Sequence, residues 1–304
     1  MRPVVLVSVL VVSACALGAA ARSRFALDGP PTHPSVPAEP RRIISLAPSV
    51  TETLFALGLG DRVVGVTDFC RFPAEARSKP RVGGFHNPNY EAIVSLRPDL
   101  AVTLVEQQPA RNALAILGIP SISVSHQSID GVLDSIPAIG QTCGVAQRAE
   151  VLAADLRARL EAVERMTCGL PRPTVLIVVS REWGAGSPRD LIVAAADGHL
   201  DRIVDLAGGR NVVEGAVARF PAVSSEAILS LDPDVILELP GESVAASLGV
   251  ARLAADWAGL DRLEAVRRRR VVALADDHAT IPGPAVVEAV ERVARLLHPE
   301  ADWP

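Results

Sequence analysis

The sequence predicts an α/β protein with two Rossmann-like lobes joined by a single long, rigid helix. A ten-residue phrase occurs twice, as EAIVSLRPDL at residues 91–100 and as EAILSLDPDV at residues 226–235, which indicates one supersecondary unit in each lobe. Short apolar strands alternate with helical segments around both copies, a pattern typical of parallel sheets covered by helices. The 304 residues also suffice for two hydrophobic cores.

The chain begins with a segment that precedes the lobes. Residues 1–21 have the pattern of a secretion signal, with Arg2 ahead of a continuous apolar run. The sequence leaves three outcomes open: lipidation of Cys15 in the lipobox-like tetrapeptide VSAC, cleavage after the alanines at 19–21, or an uncleaved membrane anchor. Each outcome places the rest of the chain outside the cytoplasm. Residues 22–40 are rich in proline and predict an extended linker.

Residues 41–142 predict the first lobe. The runs RIISL, RVVGVT, DLAVTL and PSISVS predict buried strands separated by helical segments. Ser49 and Glu52 match the capping box S-x-x-E, so we expect a helix to begin directly after Ser49. Gly58 is placed to end that helix in a left-handed conformation.

A long helix and a second lobe follow. Residues 145–166 contain strong helix formers and neither Gly nor Pro, so residues 143–170 are predicted to connect the lobes. One apolar stripe runs along this helix: Leu152, Leu156, Leu160 and Val163. Residues 171–304 predict the second lobe, with strands in PTVLIVVS, DVILEL and RVVALAD.

Each copy of the repeated phrase predicts a capped helix, a proline stop and a buried strand. Asn89 and Ser224 stand where an N-cap accepts a hydrogen bond from the first turn. Glu91 and Glu226 fall in that turn, where the helix dipole favours a carboxylate. A proline then ends each helix, because the residue before proline is pushed out of the helical region. Taken by itself, this pattern allows both glutamates to serve only the helix ends.

Composition and missing motifs exclude several classes of protein. The formal net charge is −5 and the arginines are dispersed, so nucleic acid is not an expected partner. No CxxC pair is present to build a structural zinc site. The chain also lacks the G-x-S-x-G, H-E-x-x-H and P-loop motifs, and the sequence therefore indicates a binding protein and not an enzyme.

From residue 41 onward the sequence resembles the substrate-binding proteins of bacterial ABC importers for cobalamin and ferric siderophores. The resemblance is carried by SLAPSVTETLFALG at 45–58, by the two repeated phrases and by LAGGRNVV at 206–213. It implies two α/β lobes on one rigid helix with the ligand in the cleft between them. It implies a monomer with no cofactor besides the ligand itself, a cobalt corrinoid or an iron chelate.

The resemblance also implies the partners. Glu91 and Glu226 correspond to the glutamates, one per lobe, that dock against arginines of the membrane permease, which works with a cytoplasmic ATPase. Membrane contact is expected only through the N-terminal anchor.

Similarity to the cobalamin binders implies part of the ligand site. Their ring-contacting aromatic residues correspond to Phe69, Phe85 and Phe220. Asp277 matches a family aspartate, and His278 replaces the tryptophan beside it. The stretch PGP at 282–284 lacks the arginine often found after it, which argues against an anionic siderophore.

Other candidates follow from their positions after predicted strands. Arg181, Glu182 and Trp183 come directly after PTVLIVVS and should line the cleft, with Trp183 as a flat surface for a macrocycle.

Three histidines follow predicted strands or stand in the loops after them: His86, His126 and His278. The sequence leaves three roles open for each: an axial ligand to a metal, a hydrogen-bond donor to the ligand, or a plain surface residue. The sequence thus favours a receptor that delivers a corrinoid to an ABC permease. A ferric siderophore or haem is the alternative ligand, and an extracytoplasmic enzyme is the least favoured reading.

Overall fold

A computed structural model describes residues 35–196, 198–276 and 281–303. The strands are β1 Ile43–Ser45, β2 Val63–Val66, β3 Leu100–Leu104, β4 Ser121–Val124, β5 Thr174–Ser180, β6 Leu191–Val193, β7 Arg210–Asn211, β8 Ala222–Val223, β9 Val235–Glu238 and β10 Val271–Ala273. The helices are α1 Pro48–Ala56, α2 Tyr90–Ser95, α3 Gln108–Ile116, α4 Ile129–Thr142, α5 Ala146–Thr167, α6 His199–Leu206, α7 Ser225–Leu231, α8 Gly241–Leu248, α9 Val250–Ala255, α10 Glu264–Arg267 and α11 Val286–Leu297.

The first sheet consists of β1 to β4 in the order β2-β1-β3-β4, and all its pairings are parallel. Ile44 pairs with Ala101, and Val102 pairs with Ile122. Every residue of β3 is buried, which agrees with helices covering both faces. Because the strands are parallel, all four end at the same side of the sheet, the carboxyl edge of the first sheet.

The second sheet has the order β10-β9-β5-β6-β8, with β7 also paired to β5. The pairings of β5 with β7 and β9, and of β9 with β10, are parallel, whereas β6 pairs antiparallel with both β5 and β8. The sequence predicted β5, β9 and β10 correctly and missed β6, β7 and β8. Those three strands have two or three residues each, which is too short for a period-2 pattern.

The two copies of the repeated phrase adopt the predicted structure. Asn89 accepts a hydrogen bond from the amide of Ala92 at 3.0 Å, and Ser224 accepts one from the amide of Ala227 at 3.3 Å. Both helices end before the proline, and the residue preceding each proline is left-handed, with φ of 46° at Arg97 and 39° at Asp232. The repeat is thus structural as well as sequential.

The predicted capping box in α1 is wrong. The helix begins at Pro48 with Ala47 as N-cap, and no side chain caps it. Proline suits the first helical position because its φ is already helical, so the helix begins ahead of Ser49. Ser49 and Glu52 therefore lie inside the helix and make other contacts. Gly58 has a φ of 68° just past the helix end, as predicted.

Helix α5 lies between the two sheets in the chain and corresponds to the helix predicted at 145–166. It packs against α4, α6 and α11. Arg159 on α5 forms two hydrogen bonds with Glu291 on α11, at 2.7 and 2.8 Å. One core cluster contains residues of both sheets and of α5, such as Ile43, Leu156 and Val175. The lobe boundaries at 142/143 and 170/171, and the rigidity of the helix, stay predictions.

No helix among residues 35–196, 198–276 and 281–303 combines the length and apolar character needed to cross a bilayer. Cys15 and the rest of the predicted signal lie outside the described residues, as do Asp277 and His278.

Candidate functional site

The carboxyl edge of the first sheet brings three predicted site residues together. The turn after β2 carries Phe69, and the turn at 83–87 carries Phe85 and His86. The amide of Asp68 donates to the carbonyl of Gly83 at 3.0 Å, which joins these two turns. Phe69 is 61% exposed, Phe85 is half-buried against the core and His86 is exposed. The rings of Phe85 and His86 meet edge to face, with centroids 4.8 Å apart.

A buried glutamine fixes this edge. Gln107 stands just before α3, and its amide group donates to the carbonyls of Leu46 and Phe85, each at 2.9 Å. Its side-chain oxygen accepts the amide of Leu104 at 2.9 Å. The glutamine therefore ties the ends of β1 and β3 to the turn that presents Phe85, using neutral hydrogen bonds only.

His126 has a different environment from the one predicted. It is 3% exposed, and its two ring nitrogens lie 2.8 Å from the hydroxyls of Ser49 and Ser135. Burial lowers the pKa of His126 to about 4, so the ring is neutral. Its contacts link α1 to α4 and leave neither nitrogen open, which contradicts the expectation that His126 reaches a ligand. The ring is buried because two serine hydroxyls, one on each helix, bind it, and nothing in the sequence identifies these serines as its partners.

The carboxyl edge of the second sheet carries Trp183, which is half-buried and follows the end of β5. Arg181 does not line this surface as expected. Its side chain is fully buried and pairs with Glu238 and Asp256, each at 2.6 Å, because both carboxylates lie beneath the loop that carries Trp183. We call these three residues the ion cluster. Trp257 also donates to Glu238, at 2.8 Å.

Phe220 reaches the second sheet from its side. Its neighbours Arg219 and Pro221 accept hydrogen bonds from the amides of Ala195 and Val193, just before β8. Phe220 is 47% exposed. The described contacts thus place Phe220 next to the antiparallel strands β6 and β8.

Glu91 and Glu226 are both exposed in the first turns of α2 and α7, as the repeat predicted. The backbone amide of Glu226 and the hydroxyl of Ser224 lower the pKa of the Glu226 carboxyl, so it carries a full charge at neutral pH. Equivalent helices thus present two equivalent carboxylates.

A pocket of about 720 Å³ lies where α1, α5, the segment 72–79 and the start of α11 meet. Glu52 lines it and is 4% exposed. Its carboxylate accepts a hydrogen bond from the amide of Ala285, and a Cβ atom at Gly283 would overlap it. Burial raises the pKa of Glu52 to about 7. We call this contact the Glu52 joint.

The described residues contain no group of three or more histidine, cysteine or acidic side chains arranged to hold a metal ion.

The chain folds into two helix-covered β-sheets with a long helix between them in the chain, and each sheet presents aromatic side chains at its carboxyl edge. This arrangement is typical of a class of solute receptors. The chain belongs to the periplasmic binding protein family, whose match spans residues 43–278.

Individual relatives agree with that family. The ABC transporter substrate-binding lipoprotein YvrC of Bacillus subtilis is 29% identical over 270 residues, covering 86% of this chain and 81% of the relative. The crystal structure of the periplasmic vitamin B12 binding protein BtuF of Vibrio cholerae superposes with a TM-score of 0.72 at 28% identity, covering 86% and 98% of the two chains. The periplasmic heme-binding protein RhuT of Roseiflexus sp. RS-1 gives a TM-score of 0.70 at 28% identity and covers 86% and 99%. The chain is an extracytoplasmic substrate-binding protein of an ABC transporter, a type that works with a permease and its ATPase.

Proposed function

We propose that this protein captures a cobalamin-type corrinoid outside the cytoplasm and delivers it to an ABC permease. The observation that carries the proposal is the placement of aromatic side chains at the two carboxyl edges, Phe69 and Phe85 on one sheet and Trp183 on the other. Ligands of α/β sheets bind beyond the carboxyl ends of strands. Flat aromatic faces suit the broad, partly apolar surface of a macrocycle. Similarity to the vitamin B12 binding protein supports the corrinoid among such ligands.

The polar requirements of a corrinoid also fit these edges. A corrinoid carries a rim of neutral amides and needs hydrogen-bonding partners without a strong charge. The exposed His86 stands beside Phe85 and supplies a donor or acceptor there. Arg181, which lies over the ring of Trp183, is paired with two carboxylates and withdrawn from the surface. In this proposal Asp277, His278 and Phe220 complete the site from the second lobe.

Haem is the second candidate ligand. The similarity to the heme-binding protein RhuT and the exposed imidazole of His86 favour it, since a neutral imidazole is a common axial ligand of haem iron. His126 takes no part, because both of its nitrogens are occupied.

Delivery is proposed to use Glu91 and Glu226 as the two docking carboxylates, with the protein as a monomer tethered through a lipid on Cys15. Exposed ion pairs are individually weak, so we expect them to govern orientation and association rate. Replacing both glutamates by alanine should abolish transport in cells while the affinity for ligand stays within twofold. Loss of affinity in this double variant would mean that the glutamates belong to the site or the fold.

The experiment that tests the ligand is calorimetric titration of the purified, processed protein with cyanocobalamin, cobinamide, haem and ferric siderophores. We expect tight one-to-one binding of the two corrinoids and no binding of haem or the ferric siderophores. Tight binding of haem alone, lost on His86→Ala, would replace the corrinoid by the second candidate. Absence of binding across the panel would refute both.

A further inference from the structure

The loop that carries Trp183 packs on charged side chains that are buried. Arg181, Glu238 and Asp256 have side chains that are at most 1% exposed, and the two ion pairs between them measure 2.6 Å. Arg181 also donates to the carbonyl of Leu253 at 3.0 Å. The cluster therefore joins the ends of β5 and β9 to the end of α9.

Asp256 holds the loop directly. Its two carboxylate oxygens accept the amides of Gly184 and Gly186, each at 2.9 Å, in addition to the bond from Arg181. Both glycines have positive φ, 77° and 76°, a conformation that other residues rarely adopt. The carboxylate of Asp256 thus fixes the backbone that directly follows Trp183.

Arg181 fixes the indole itself. Its guanidinium carbon lies 4.5 Å from the centroid of the Trp183 ring, a stacked cation–π geometry. One face of the indole is therefore covered from below. The ring remains half-buried, so part of it faces outward at the carboxyl edge of the second sheet.

Such a cluster is an expensive way to stabilise a fold. Buried ion pairs often contribute no more stability than well-packed apolar residues would, and their best-supported benefit is a unique geometry. The second oxygen of Glu238 is buried without a hydrogen-bond partner, so the cluster is not optimised for stability. What it does achieve is one fixed orientation for Trp183.

We infer that Asp256 is a positioning residue for ligand binding, which acts by fixing the 181–186 loop and Arg181 so that Trp183 is held ready for a flat ligand. This inference rests on the proposed function, because Trp183 meets a ligand only if this edge is the binding site. Asp256 itself is buried, so it acts through the loop and Arg181 and not by contact with the ligand.

A double-mutant cycle with cyanocobalamin as the probe tests it. Asp256→Asn should weaken binding at least tenfold, whereas Asp261→Asn, an exposed aspartate close by in the chain, should change it less than twofold. In a Trp183→Ala background, Asp256→Asn should add less than a twofold loss. An equal tenfold loss in that background, or full affinity of Asp256→Asn, would overturn the inference.

A second readout separates this inference from the proposed function. In protein labelled with ¹⁵N-tryptophan, the indole resonance of Trp183, assigned with Trp183→Phe, should shift or broaden in Asp256→Asn and stay unchanged in Asp261→Asn. If the wild type binds no ligand of the panel while this resonance moves, the function fails and the positioning stands. An unmoved resonance overturns the positioning in either case.

A milder variant covers the case in which Asp256→Asn does not fold. Arg252 is exposed and donates to the carbonyl of Gly184 at 3.3 Å, so Arg252→Ala loosens the same loop without leaving a buried charge. We expect a two- to threefold loss of affinity and a smaller shift of the same indole resonance. Unchanged affinity together with an unmoved resonance would count against the inference.

Discussion

The two carboxyl edges present aromatic side chains in similar positions but support them with different chemistry. At the first sheet, Gln107 ties the Phe85 turn to two strand ends through neutral hydrogen bonds. At the second sheet, the ion cluster ties down the Trp183 loop through a buried guanidinium and two carboxylates. Removing one neutral hydrogen bond should lower the free energy of unfolding moderately. Removing one member of a charge network should lower it more, because a buried charge is then left without a partner.

The largest effect is expected from removing the cation at the centre of the ion cluster. Arg181→Ala leaves two buried carboxylates without their partner, and the free energy of unfolding should fall by about 3–5 kcal/mol. The measurement is urea denaturation followed by circular dichroism. Arg189→Ala removes an exposed arginine of the same region and should change the value by less than about 0.5 kcal/mol. A loss as small as that control's would mean that the cluster is not a charge network.

The corresponding change at the first sheet should cost less. Gln107→Ala removes three hydrogen bonds and leaves the carbonyls of Leu46 and Phe85 without this partner, so we expect a loss of about 2–3 kcal/mol. The exposed neighbour Gln108→Ala serves as the matched control. If Gln107→Ala costs as much as Arg181→Ala in the same denaturation assay, the distinction between neutral and ionic support is lost.

The Glu52 joint should make the free energy of unfolding depend on pH, independently of the two carboxyl edges. The pKa of Glu52 is raised from 4.5 to about 7, so the folded state binds this proton more tightly than the unfolded state. Its contribution is fully present below pH 4.5 and is lost as the pH rises to 7. Relative to Glu52→Gln, the wild type should lose about 2 kcal/mol across that window. Parallel pH profiles of the two proteins would contradict it.

His126 should act in the opposite direction by a similar or smaller amount. Its pKa is lowered from 6.5 to about 4, so the unfolded state binds the proton more tightly. The stability it contributes is present above pH 6.5 and is lost as the pH falls to 4. The advantage of the wild type over His126→Gln should therefore shrink by about 1–2 kcal/mol between pH 7.5 and pH 4.5. An advantage that is constant with pH would mean that the ring is not held neutral.

Local rules explain what the sequence predicted well. The caps at Asn89 and Ser224 and the proline stops are decided within a few residues, and the structure reproduces each of them. Apart from the two-residue strand β7, the strands of the parallel pairs were equally recognisable, since each lies in a largely apolar run between turns. The position of Glu91 and Glu226 in the first helical turn follows from the same local reasoning.

Long-range partners explain what the sequence missed. Arg181 was expected at the surface, and nothing nearby in the chain indicates that its partners stand 57 and 75 residues away. One signal was present: Glu238 is the last residue of an otherwise apolar buried strand, and a charge in that position requires a partner. His126 carried no such signal, because serines are common and only the packing of α1 against α4 brings two of them to the ring.

The contact between Gly283 and Glu52 limits which substitutions these two positions can accept. A side chain at 283 would collide with the Glu52 carboxylate, which could move aside only by giving up the hydrogen bond from the amide of Ala285. The two positions, far apart in the chain, should therefore be coupled, because a side chain at 283 costs more stability beside glutamate than beside a shorter residue at 52. In a library that varies both codons under selection for a folded protein, alanine at 283 should survive beside a shorter residue at 52 and seldom beside glutamate.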